Sequence, residues 1–143
     1  MSKVAIVFWS QTGNTETMAN CIAEGAGANA TIIPCSEMNA AKLGEYDVVA
    51  FGCPAMGAEQ LEESEFEPMF SDLEGSLNGK KVAMFGSYGW GDGQWMRDWG
   101  ERAQGFGRTV CMAVVVAVGV TACFAVLRHA VRRAAVRSGR RRE

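Results

Sequence analysis

Histidine is almost missing from this chain: His129 is the only one in 143 residues. Its scarcity excludes a Ser/His/Asp or Cys/His catalytic set in the body of the protein, and no isolated pair of carboxylates offers acid/base chemistry instead. The five cysteines, at 21, 35, 53, 111 and 123, are odd in number and show no CxxC or Cys/His spacing. That argues against a zinc site and against a disulfide framework, and leaves reduced, structural thiols. The amino-terminal apolar run, Val4 to Trp9, is too short for a secretory signal, so the expected compartment is the cytoplasm.

What is present is enough apolar material, 48 % of the residues, for a single domain with a real core over 1–143. The net charge of −2 hides an asymmetry. Residues 1–127 carry seven Lys plus Arg against fifteen Asp plus Glu, whereas residues 128–143 carry seven arginines against one glutamate. An acidic body repels nucleic acid, so no nucleic-acid partner is expected. The segment 127–143 reads as a basic tail that either extends the last helix or is disordered.

Apolar runs of strand length fall at Lys3–Trp9, Ala30–Ile33, Asp47–Gly52, Lys81–Gly86 and Thr109–Val118. They are continuously apolar rather than alternating, which predicts strands covered on both faces. Helical spacing appears between them, as in Met18, Ile22, Ala26 and in Trp95, Met96, Trp99, Arg102. The crossover from Cys35 to Tyr46 is short and only weakly helical. The alternation predicts an α/β, doubly wound parallel sheet of five strands with helices on both faces. In such a fold a ligand sits at the carboxyl ends of the strands, where the winding reverses. Three polar or glycine-rich loops fall there: 10–15, 53–60 and 86–93.

The first loop, Ser10-Gln11-Thr12-Gly13-Asn14-Thr15, follows strand one and opens a helix, so backbone N–H groups and the positive helix end converge on one point. It has no Lys or Arg and no GxGxxG, so it matches neither a Walker A loop nor the dinucleotide fingerprint. Neutral donors around a terminal phosphate fit a mononucleotide. The plainer alternative is an ordinary helix N-cap with a turn glycine.

These residues form the SxTGNT-type phosphate loop, and the chain resembles the flavodoxin family, specifically its short-chain clostridial type. Gly52-Cys53-Pro54-Ala55-Met56-Gly57-Ala58-Glu59 is similar to that family's flavin loop, and Phe85-Gly86-Ser87-Tyr88-Gly89-Trp90-Gly91 to its second one; the likeness runs over roughly residues 1–110. The resemblance implies the strand order 2-1-3-4-5, a monomer, and one non-covalent FMN. It implies phosphate contacts from Ser10, Gln11, Thr12, Gly13, Asn14 and Thr15. Ring contacts would come from Pro54, Ala55, Met56, Gly57, Ala58 and Glu59, and from Ser87, Tyr88, Gly89, Trp90 and Gly91.

Physically, Trp90 can lie flat on one face of the ring and Met56 supply a polarizable contact on the other. Gly57 permits a peptide flip that favours the neutral semiquinone, and a Thr there would weaken it. The resemblance also implies that Glu59 accepts from flavin N3–H; the plainer alternative is one more solvated carboxylate in an acidic stretch. The acidic stretch Glu59–Glu67 opposes a reduced, anionic ring: each charge at about 10 Å costs about 0.4 to 1.7 kcal/mol, or tens of millivolts. The implied function is a low-potential one-electron carrier, not an enzyme, whose acidic face docks redox partner proteins. The rival on the same scaffold is an FMN-dependent quinone or NAD(P)H reductase, for whose pocket the chain has no sizeable insertion. A signalling receiver domain would need an acidic cluster after strand one and an Asp closing strand three, where Phe51-Gly52-Cys53 stands instead.

Beyond residue 110 the family pattern lapses. Gly119-Val120-Thr121-Ala122 replaces the expected Asn/Glu/Pro-bearing loop, and Val110–Leu127 holds no charge before the arginine run. Three readings stand: a divergent fifth strand and helix, a tail foreign to the family, or a membrane anchor within 110–143.

Overall fold

The computed structural model describes residues 3–11, 13–27, 29–54, 61–88, 94–104 and 108–116; for Asn14, Ser87, Tyr88, Gln104 and 108–116 it describes the backbone alone. Five strands, β1 (Val4–Phe8), β2 (Ala30–Pro34), β3 (Val48–Gly52), β4 (Lys81–Tyr88) and β5 (Arg108–Val116), form one parallel sheet in the order 2-1-3-4-5. The helices are α1 (Asn14–Ala26), α2 (Ala40–Leu43), α3 (Phe66–Leu73) and α4 (Gln94–Gln104), with single 3-10 turns at Cys35–Glu37 and Glu74–Ser76. The expected fold and strand order are those observed. The weak crossover is the 3-10 turn and the one-turn α2.

The continuously apolar strands do serve two faces. Val4, Ile6, Val48, Ala50, Ala83 and Phe85 point to α1, where they meet Met18, Ala19, Ile22 and Ala26. Ala5, Val7, Val49, Phe51, Val82 and Met84 point the other way, against Leu43, Phe66, Phe70, Leu73, Trp95 and Trp99. That second face is aromatic. Phe51 meets Phe70 edge-on at 5.1 Å, Trp99 meets both Phe66 (5.5 Å) and Phe70 (5.6 Å) edge-on, and Trp95 stacks with Trp99 at 6.2 Å. Such pairs add about 0.5 to 1.5 kcal/mol each beyond their area burial.

Arg102 fastens α4 to α3. Its guanidinium lies 5.0 Å over the Phe70 ring and pairs with Glu67 (2.6 Å) and Glu74. With about a third of Arg102 exposed, the ion pairs are worth little, and packing on Phe70 is the larger share.

Two differences from the sequence reading concern the last strands. β4 runs to Tyr88, two residues beyond the apolar run, because β5 lies along its whole length: Gly86, Ser87 and Tyr88 face Val114, Val115 and Val116. Ser87 and Tyr88, read as loop, therefore close a strand. The first seven residues of the uncharged run Val110–Leu127 belong to β5, so that run is not one spanning helix. Among the described residues no helix is long and apolar enough to cross a membrane. The fifth strand of the divergent-end reading is present; its helix and the basic tail lie outside the described residues.

Candidate cofactor site

The strand register brings the loops together. Phe8 is level with Gly52, and Gly52 with Phe85, so β1, β3 and β4 deliver their carboxyl ends to one line. Beyond the ladder two further bonds hold that line: Trp9 N–H donates to Gly52 O (2.9 Å) and Cys53 N–H donates to Phe85 O (3.1 Å). β1 sits between β2 and β3, so successive connections leave to opposite sides at this point. That is the crevice where open α/β sheets bind ligands.

The first loop turns on Gly13, whose φ of 94° is left-handed and suits glycine. Gly13 N–H donates to Ser10 Oγ (3.1 Å), and Gly13 O accepts from the Thr17 N–H and the Thr17 hydroxyl, each at 2.9 Å. The N-cap of α1 is Gly13, which has no side chain to cap with. A turn glycine at the N-cap is also what the plainer alternative expects, and it leaves room for a ligand at the first-turn N–H groups. Thr15 is 1 % exposed and its Oγ1 has no hydrogen-bond partner among the described residues. A buried hydroxyl left unpaired is costly. An anion at the thirteen-residue helix's positive end would satisfy both it and the free N–H groups. The residues present fit a phosphate group. Gln11 is exposed; Thr12 and the Asn14 side chain lie outside the described residues.

Of the second loop, Cys53 is buried and Pro54 half-buried, while Ala55, Met56, Gly57, Ala58 and Glu59 lie outside the described residues. The third loop contributes the β4 backbone at Ser87 and Tyr88; Gly89, Trp90 and Gly91 lie outside. The floor beneath these loops is tight. A Cβ on Gly86 would stand 2.1 Å from Cys53 O and 2.5 Å from Trp95 Cη2, and one on Gly52 would stand 2.2 Å from the Phe85 ring.

The group that sequence reasoning missed is Glu62. Read as one carboxylate of an acidic stretch, it is buried, and it receives the Ser64 (2.7 Å), Glu65 (2.9 Å) and Phe66 (2.9 Å) N–H groups together with the Ser64 hydroxyl. These bonds cap the start of α3. Burial alone would raise its pKa, but the hydrogen bonds outweigh it and hold the carboxyl below the ordinary value. The available cue was a glutamate four residues ahead of the apolar α3 face that begins at Phe66.

Burial, chiefly, pushes the Cys53 thiol up to about 12 and the Cys35 thiol to about 11. Both are inert at neutral pH, and Cys21, Cys35 and Cys53 are free thiols. The structural-thiol reading holds for these three; Cys111 contributes backbone only, and Cys123 lies outside the described residues.

A sheet of this order with an anion cradle after its first strand defines a mononucleotide-binding α/β domain of the doubly wound class. Comparison with known proteins narrows the class. A sequence model of the family described as flavodoxin matches residues 6–124. The flavodoxin of Clostridium beijerinckii is 53 % identical over 108 residues, covering 73 % of this chain and 78 % of that protein. The flavodoxin of Megasphaera elsdenii is 48 % identical over 116 residues, covering 79 % and 85 %. The solution structure of the two-electron-reduced Megasphaera elsdenii flavodoxin superposes with a TM-score of 0.85 at 42 % identity, covering 92 % of this chain and 99 % of that one.

This chain belongs to the flavodoxin family, whose cofactor is FMN and whose members are electron-transfer proteins rather than enzymes. The reductase alternative is not favoured. The family match runs past residue 110, where the recognisable motifs stop, and takes in β5.

Proposed function

We propose that this chain carries single electrons at low potential between larger redox proteins, as a cytoplasmic monomer whose whole length forms one domain. The observation that carries the reading is the buried Thr15 hydroxyl, without a partner among the described residues, in the first turn of the Gly13-capped α1. Ser10, Gln11, Thr12, Gly13, Asn14 and Thr15 hold the phosphate. Pro54 to Glu59 and Ser87 to Gly91 wrap the ring, with Trp90 and Met56 against its faces and Glu59 at its rim. Bound FMN supplies a ring that takes up and releases electrons one at a time.

The protein's own contribution is electrostatic and geometric. The exposed carboxylates Glu63 and Glu65, with Glu67 close behind, oppose added negative charge nearby and so lower the potential. They also present an acidic face to basic patches on partner proteins.

The absorption spectrum of the purified chain, before and after incubation with FMN, tests this directly. A bound flavin spectrum at one FMN per chain is expected. A colourless protein that takes up no FMN would overturn the reading.

A further inference from the structure

The turn that precedes α3 is tied to both anchored edges of the site. Glu62 N–H donates to Cys53 Sγ at 3.4 Å, which closes the segment between Cys53 and Glu62 at its base. The Glu62 carboxylate then gathers the N–H groups of residues 64 to 66 and the Ser64 hydroxyl. In the same turn the Glu65 carboxylate accepts from Trp9 Nε1 at 3.0 Å. Trp9 returns to β3 through its own N–H and Gly52 O. The bonds form a closed circuit: the end of β1, the end of β3, the turn before α3, and back to β1. Ser10 follows Trp9 directly, and Pro54 follows Cys53.

We infer that Glu62 is a positioning residue for the cofactor, holding the circuit that sets the spacing between the base of the phosphate loop and the two ends of the 54–61 segment. The inference rests on the FMN reading above and deepens it. A buried carboxylate with four donors has one comfortable position. Moving it strands either a charge or several N–H groups without their partners. Its exposed neighbour Glu63 has the same charge and lacks that burial, so the pair separates position from charge.

The test compares Glu62→Gln with Glu63→Gln in the full-length, FMN-loaded protein, reading the FMN dissociation constant and the two one-electron midpoint potentials. Glu63→Gln removes a negative charge, so it raises the second potential, whose product ring is an anion, and leaves the first potential, which joins two neutral rings, and the FMN affinity unchanged. Glu62→Gln is expected to lower the first potential as well, which loss of a charge alone does not do, and to weaken FMN binding about tenfold, as loss of one hydrogen bond to a charged group does. Equal behaviour of the two variants would overturn the inference, leaving Glu62 as a charge only.

If far-ultraviolet circular dichroism shows that Glu62→Gln does not fold, Ser64→Ala, which keeps every charge and removes one donor, takes its place. It must lower the first potential with no charge removed, and an unchanged first potential sinks the idea. A wild-type chain that binds no FMN removes the proposed function and this inference with it.

Discussion

Thr15 separates a phosphate cradle from a packed helix start. Thr15→Val keeps the shape and deletes the unpartnered hydroxyl, so the FMN-free protein should be at least as stable in urea as wild type. The FMN dissociation constant should rise about ten- to a hundredfold, the worth of a hydrogen bond to a charged group. Riboflavin, which lacks the phosphate, should bind both proteins alike. Equal losses for the two ligands would show a packing role instead. The loop 10–15 was legible as a glycine turn that opens a helix after strand one, from its residue types and its place in the chain. Glu62 was not, because seven carboxylates from Glu59 to Glu74 look alike in a sequence and, among the described ones, Glu62 alone is buried by the fold. Gly86 illustrates the same limit: its glycine is visible, but the carbonyl of Cys53 and the Trp95 ring that demand it come from distant segments.

At the level of elements, strand positions were legible to within a few residues, because a strand buried on both faces must be apolar throughout. Strand ends were less so, since β4 extends only as far as β5 supplies partners. Helix starts depend on caps, and the α3 cap sets an acid limit on stability. The Glu62 carboxyl is held below its ordinary value of 4.5, so the unfolded chain takes up the proton first. Its stabilisation is therefore complete above about pH 4.5 and is lost as the pH falls through the folded value. Urea unfolding between pH 6 and pH 3 should show a steeper decline for wild type than for Glu62→Gln.

The thiols set the opposite limit. With Cys35 at about 11 and Cys53 at about 12, the folded state retains protons that the unfolded chain sheds near 9.0. Their contribution is complete below pH 9 and declines as the pH rises towards those values, which the same titration, carried upward, should show.

For the whole molecule, the doubly wound parallel sheet was readable from the alternation of elements, and the strand order from the resemblance to the family motifs. The course of the chain beyond Val116 was not, since neither periodicity nor motif there agrees with the first 110 residues. The proposed docking through an acidic face is tested by a rate at this scale. Electron transfer from the reduced protein to a small basic haem protein should slow several-fold between about 10 mM and 150 mM salt, as the Debye length shrinks from about 30 Å to about 8 Å. Rates insensitive to salt would remove docking through that face.

The position of β1 also bears on how the chain reaches this structure during synthesis. Val4 pairs with Ala30 on one side and with Val48 on the other, so the earliest strand made is an inner one. A nascent chain must keep a five-residue strand, most of it destined for full burial, unsealed until β3 has emerged as well. Non-local parallel pairing of this kind folds slowly and leaves strand edges open to wrong partners in the meantime. The strand that anchors the phosphate loop is thus also the one most dependent on protection while the ribosome is still at work.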